Sequence, residues 1–179
     1  MYLSIPFKQF EIDKLSFKKK RKKDKEYIKI VYNLENVLIN DIYIMTPVLK
    51  CRSIKKYSNT KIKNKYNIEL KCPDDFIEFL QGVEDRIKYY FCNNINTENN
   101  HTSIINNNVI NINIFKDIYT GFTIYDIASK DKNDLFNIEN IKENDNVKLL
   151  LAFNYIWINN YNYGLSWRII GIEYLSTDI

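Results

Sequence analysis

The sequence predicts a mainly β protein with one inserted helix, folded as a single domain over residues 1–179. Three observations point there. The last stretch, Val147 to Tyr174, holds two strongly apolar segments joined by an Asn/Tyr/Gly connection. Several earlier runs are rich in β-branched and aromatic residues and are bounded by polar turns, as strands are. Only one segment, Asp74 to about Phe91, repeats its apolar residues at the three-to-four spacing of an amphipathic helix.

In chain order, Leu3 to Ile12 alternates loosely and is expected as an edge strand. The densest charge follows, Lys18-Lys19-Lys20-Arg21-Lys22-Lys23. It reads either as a phosphate-binding loop or nuclear-import signal, or as a solvated hairpin tip. In the first case each Lys acts as a point charge on a phosphate backbone and carries no sequence information. Strands are predicted over Glu26 to Leu34 and Asp41 to Lys50, with a turn near Asn36; Pro47 implies an edge or a bulge, because proline cannot donate to a ladder. Lys50 to Lys65 is a second basic stretch, with Lys50, Arg52, Lys55, Lys56, Lys61, Lys63 and Lys65 interleaved with Tyr57 and Tyr66. Charges that follow phosphates and rings that stack on bases suit single-stranded nucleic acid. The plainer alternative is a surface hairpin whose tyrosines pack sideways.

The helix opens at Cys72-Pro73-Asp74-Asp75, where Pro fits the first turn and the acidic pair fits the positive helix end. Its carboxylates Asp74, Asp75, Glu84 and Asp85 are expected in solvent. Asn93 to Asn108 reads as a flexible Asn-rich loop containing the only histidine, His101, which is expected to be exposed; no second His supports a metal or general-base role. Val109 to Phe115 and Tyr119 to Ala128 are further strands, and a polar turn at Glu143-Asn144-Asp145-Asn146 feeds the last pair. There Leu149, Leu151, Phe153, Tyr155 and Trp157 share one side of a period-two pattern. Beyond the connection Asn159 to Gly164, the alternation Leu165, Trp167, Ile169 shifts by one to Ile170, Ile172, Tyr174, which predicts a β-bulge beside Gly171.

Composition excludes whole classes. At 45% hydrophobic and 15% aromatic, the chain has too much apolar surface for a solvated coil. The heavy use of Asn, Ile, Lys and Tyr fits an AT-rich genome, so single Asn or Lys residues carry little weight. A net charge of +4 permits a nucleic-acid partner without requiring one. Cys51, Cys72 and Cys92 form no C-x-x-C pair, so neither a disulfide framework nor a zinc site is expected, nor any other metal or cofactor. No run has signal-peptide or bilayer-spanning length, and a soluble intracellular protein is expected.

The string NIENIKENDNVKLLLAF resembles the approach to a late strand of an oligonucleotide-binding (OB) barrel. The ending IWINNYNYGLSWRIIGIEY is similar to the terminal hairpin of single-stranded-DNA-binding proteins of large DNA viruses, which are related in fold to their phage counterparts. IYIMTPVLK resembles that group's short Thr-Pro strand, and the basic hairpin and acid-capped helix follow in the same order. The resemblance is spread thinly over most of the chain and is closest in the last thirty residues. The chain departs from phage members in ending Ser176-Thr177-Asp178-Ile179 without an acidic tail, so tail-mediated displacement and partner recruitment are not carried over.

The resemblance implies an OB-like five-stranded β-barrel with extra strands and the helix around 74–91. It also implies binding of single-stranded DNA, RNA not being excluded, in replication, recombination or repair. A homo-oligomer or replication proteins would be further partners, and the host nucleus or a cytoplasmic replication factory the compartment. Tyr57, Tyr66, Tyr161 and Tyr163 are the expected exposed stacking rings, with Trp157 beside them. Lys55, Lys56, Lys61, Lys63 and Arg168 are the expected phosphate contacts, and Trp167 is expected in the core.

Among enzyme readings, no Gly-rich phosphate loop, H-E-x-x-H or G-x-S-x-G occurs. Glu69-Leu70-Lys71 puts a carboxylate and an amine on one side of a strand, as metal-dependent nucleases do, with Asp41 or Asp74 as a second carboxylate. The expectation is binding without catalysis; a viral structural or protein-interaction module is the alternative, and a nuclease using Glu69 and Lys71 a third.

Overall fold

The computed structural model describes residues 3–22, 25–35, 37–59, 62–95, 99–115, 124–131 and 134–175, and of 3, 22, 25, 58, 59, 62–64 and 115 the backbone alone. The chain opens with β1 (Leu3–Pro6), two 3-10 turns (Phe7–Gln9 and Ile12–Lys14), and a hairpin of β2 (Leu15–Lys22) and β3 (Lys25–Leu34). Next come β4 (Val37–Ile39), β5 (Ile42–Met45), β6 (Leu49–Asn59), β7 (Ile62–Lys71) and α1 (Asp74–Asn94). Short strands β8 (Asn100–His101) and β9 (Ile105–Asn106) lead to β10 (Val109–Phe115). After β11 (Tyr125–Asp126) and a 3-10 turn (Ile138–Asn140), the chain ends in β12 (Asn146–Ile158) and β13 (Asn162–Leu175). The mainly β class with one helix is therefore observed. Of the strand expected over Tyr119 to Ala128, residues 119–123 lie outside the described residues, and β11 is the strand among the others; Asn36 also lies outside the described residues. The N-terminal segment is strand only to Pro6, where it turns aside into its 3-10 turns.

β12 organises the sheet. One of its edges pairs with β13 along its length. The other edge is shared in turn. Asn146 and Val147 face Lys50 and Leu49 of β6, Leu150 to Phe153 face Met45 to Ile42 of β5, and Tyr155 and Ile156 face Lys29 and Ile28 of β3. Between β6 and β5, Thr46 takes a strand's place. Its N–H donates to the Leu149 carbonyl at 3.0 Å, and the Leu149 N–H donates to its Oγ1 at 2.9 Å. Four residue steps from Met45 to Leu49 face three from Leu150 to Val147, which is the bulge expected at Pro47. β6 continues past β12 to pair with β7, which pairs with β10. Among the described residues these ladders branch from β12 and do not close into a ring.

The terminal hairpin carries two register shifts. Leu150 faces Gly171 while Leu151 faces Ile169, so Ile170 is the extra residue, beside Gly171 as predicted. A second bulge makes Asn154 the extra residue, because Phe153 faces Trp167 and Tyr155 faces Ser166.

α1 covers one face of the sheet, called here the inner face. Phe76 and Phe79 meet Phe7 of the first 3-10 turn and Phe10 just after it at ring-centroid distances of 5.2 to 5.9 Å. At the helix's other end Tyr90 packs on Phe17, and Phe91 lies flat on Tyr163 at 3.9 Å. Edge-to-face and offset ring pairs of this kind add about 0.5–1.5 kcal/mol each beyond the area they bury. In β10 the run VININIF turns Ile110, Ile112 and Ile114 inward and Asn111 and Asn113 to solvent. No helix among the described residues is long and apolar enough to cross a membrane.

Candidate nucleic-acid interface

Between two register shifts, at Cys51/Ser53 and at Tyr57/Asn59, the basic hairpin β6–β7 alternates, and the alternation decides which of its predicted contacts are available. Ile54, Ile68 and Leu70 point inward, and Lys56 and Tyr66, two steps along, share that side. Tyr66 is consequently buried, its hydroxyl donating to Glu139, and burial raises its pKa above the ordinary value. Lys56 also donates to Glu139 Oε1, at 2.7 Å. The expectation of Tyr66 as an exposed stacking ring is therefore wrong, and Lys56 is engaged with a carboxylate. Lys55 and Tyr57 are on the exposed outer face, where Lys55 lies 3.9 Å from Glu69 and the Lys65 ammonium sits 5.7 Å from the Tyr57 ring centroid. Lys61 lies outside the described residues; Lys63 belongs to β7, its side chain not among those described.

Tyr163 is corrected in the same way. It shares the inward side of β13 with Leu165 and stacks on Phe91 within 3° of parallel, only 5% exposed. Burial raises its pKa too. Tyr161, at the tip of the β12–β13 hairpin, is the most exposed ring among the described residues, at 75%. Its turn is fixed by Asn159, whose Oδ1 accepts from the backbone N–H of Tyr161 at 2.9 Å and of Asn162 at 2.8 Å. Trp167 packs partly buried against the core beside Phe153, as expected.

Arg168 and Trp157 belong to a different grouping, on the outer face of β2, β3, β5, β12 and β13. The Asn154 bulge reverses the alternation, so Tyr155 and Trp157 leave the side held by Leu149, Leu151 and Phe153 and face outward. The shared side predicted for all five is thus overturned. Two cross-strand rows result. Tyr43, Ala152 and Arg168 face one another across β5, β12 and β13. Lys18, Lys29, Tyr155 and Ser166 do so across β2, β3, β12 and β13. Lys20 faces Tyr27 in the next row outward, and the Tyr27 ring meets Tyr155 edge-on at 5.8 Å. The six-membered ring of Trp157 lies over Gly164, with Cζ2 2.9 Å from where a Cβ would stand there.

The face therefore carries four cations, Lys18, Lys20, Lys29 and Arg168, none with an ion pair among the described residues. Between them stand Tyr27, Tyr43, Tyr155 and Trp157. The nearest charge pairing along the ribbon, Lys19 with Glu26 at 2.9 Å, occupies its opposite side. Of the described side chains of the lysine run, Lys18 and Lys20 thus belong to this face and Lys19 and Arg21 to the other. Sequence reasoning missed Lys18, Lys20, Tyr27, Lys29, Tyr43 and Tyr155 as a group, although Leu15 and Phe17 facing inward would have placed Lys18 and Lys20 outward.

Two further expectations are corrected. Glu84 is buried, accepting from the Ile104 N–H at 2.7 Å and the Ser103 hydroxyl at 2.9 Å, and so ties the 99–108 segment to the helix. His101 is half-buried. β8 pairs with β13 opposite Tyr163, the imidazole tilts against that ring at 5.3 Å, and its Nε2 is shielded without a hydrogen-bond partner among the described residues. Desolvation lowers its pKa, with Glu84 pulling the other way. Glu69 and Lys71 share the outer side of β7, but no group of three His, Cys, Asp or Glu among the described residues could hold a metal ion. Comparison with protein-family models and with curated proteins finds no match to either.

Proposed function

We propose that the protein binds single-stranded nucleic acid, single-stranded DNA in the first instance, along the outer face of β2, β3, β12 and β13. It acts there without catalysis, in replication, recombination or repair of the viral type. The observation that supports this is the interleaving of four cations, free of ion pairs among the described residues, with four partly exposed rings on one sheet face. Cations follow a phosphate backbone, while rings stack on bases with little regard to sequence, each stack contributing about 1–3 kcal/mol. The β6–β7 hairpin, by contrast, has two of its lysines close to carboxylates, which favours the β2–β3 side. The test is titration of fluorescent oligothymidine at low salt. Binding that weakens steeply as salt rises supports the reading; no binding at low salt ends it.

A second reading, a protein-interaction module, is favoured by a separate observation. Leu34, Val37 and Leu38 of the β3–β4 turn are 39–61% exposed, on an edge that β4 leaves open among the described residues. Such a module would not bind the oligonucleotide.

A further inference from the structure

We propose that a cavity on this face takes one unstacked base, and that Asp41 makes it favour a base with an exocyclic amine over thymine or uracil. The inference rests on the single-strand reading above. The cavity, about 180 Å³, opens between β3, β5, β12 and β13 and is lined by Tyr27, Tyr43, Tyr155, Lys29, Arg168 and Asp41 among others. Ala152 lies between Tyr43 and Arg168 in its row, and a methyl group flanked by two long side chains leaves a dip in the sheet surface.

Among the described residues Asp41 is the one carboxylate lining the cavity, and it is exposed. Although Lys29 and Arg168 line the same space, neither comes within ion-pair distance of it among the described residues. An ionised carboxylate only accepts hydrogen bonds. Placed beside stacking rings, it attracts an amino group on a base edge and repels a carbonyl oxygen. Cytosine presents its N4 amine where thymine presents O4, and the two rings are otherwise nearly matched in size. Arg168, a donor only, complements the acceptors on the same cytosine edge. A carboxylate that merely sat among phosphates would weaken binding to all bases alike, so a preference between two pyrimidines isolates the proposed contact.

The experiment is fluorescence anisotropy at neutral pH and low salt, with oligodeoxycytidine and oligothymidine of equal length. The wild type, Asp41→Ala and Asp41→Asn are compared. The wild type is expected to bind the cytidine oligomer about five- to tenfold more tightly, the low end of what one base-edge contact gives. Asp41→Ala brings the ratio to about one and raises affinity for oligothymidine, because a negative charge has left a cationic face. Asp41→Asn, which keeps an acceptor oxygen, retains part of the preference. Equal binding of the two oligomers by the wild type, or an undiminished preference in Asp41→Ala, overturns the inference and leaves the single-strand reading standing. Binding of neither oligomer overturns both.

Discussion

Replacing Lys18 and Lys20 together by Gln should halve the salt dependence of single-strand binding. Both side chains are exposed and lie on the outer side of β2, in register with Lys29 and Tyr27. If Lys18, Lys20, Lys29 and Arg168 each contact one phosphate, the log–log salt slope is about −0.7 per contact for a single strand, or about −2.8 in all. A tenfold rise in salt then weakens the wild type about 600-fold and the double variant, at a slope near −1.4, only about 25-fold. The assay is anisotropy of labelled oligothymidine across a salt series. The control is Lys55→Gln with Lys56→Gln, on the hairpin where those amines already meet Glu69 and Glu139; it should keep the wild-type slope. A double variant that retains the full slope, or a control that loses it, refutes the placement of the binding face.

Four other outcomes follow from the same structure. Tyr155→Ala should weaken oligonucleotide binding by about 1–3 kcal/mol, read in the same titration, while leaving the salt slope unchanged. Gly164→Ala should destabilise the fold by about 1–3 kcal/mol in a denaturant titration, since its Cβ would stand 2.9 Å from Trp157 Cζ2 and 3.0 Å from the Thr102 carbonyl. Of the three thiols only Cys92 should react with a disulfide reagent in the native protein, all three reacting in denaturant. Cys51 and Cys72 are buried, with burial pushing their pKa values up to about 11 and about 12. Burial also holds His101 below its ordinary value of 6.5, so the unfolded chain takes up this proton more readily than the folded one. The resulting contribution to stability is complete above about pH 6.5 and is lost as pH falls through and below that value. The unfolding midpoint should therefore drop between about pH 7.5 and 5.5, and His101→Gln should flatten that part of the curve.

Much of the fold was legible because burial imposes a period. Leu15 and Phe17, Ile28 and Ile30, and Ile110, Ile112 and Ile114 each mark an inward side two residues apart. The helix was legible from the stripe Phe76, Phe79, Leu80, Val83, Ile87 and Phe91, all buried. Tyrosine was where the reading failed, since its amphipathic ring suits either side. The side was nonetheless encoded, because Tyr66 is in step with Ile68 and Leu70, and Tyr163 with Leu165. Glu84 and His101 were illegible for a different reason. Their environments are made by contacts across the fold, with Ser103 and Ile104 for one and Tyr163 for the other, and no local pattern announces a long-range hydrogen bond.

The Asn154 bulge is the feature that no period-two reading could have supplied, and the candidate interface depends on it. Without the extra residue Tyr155 and Trp157 would fall beneath the sheet with Phe153, and Ile156, now fully buried, would face solvent. Apolar burial of Ile156 against β3 opposes that slip, since fully burying such a side chain contributes about 1.5–3 kcal/mol over leaving it exposed. The bulge is therefore held by the core even as it turns two rings outward. It falls where β12 passes from β5 to β3 as its neighbour. That is where Arg168, Lys29 and the lysine ribbon converge on one side of the sheet. Core packing thus fixes the register, and the register in turn sets the rings among the cations.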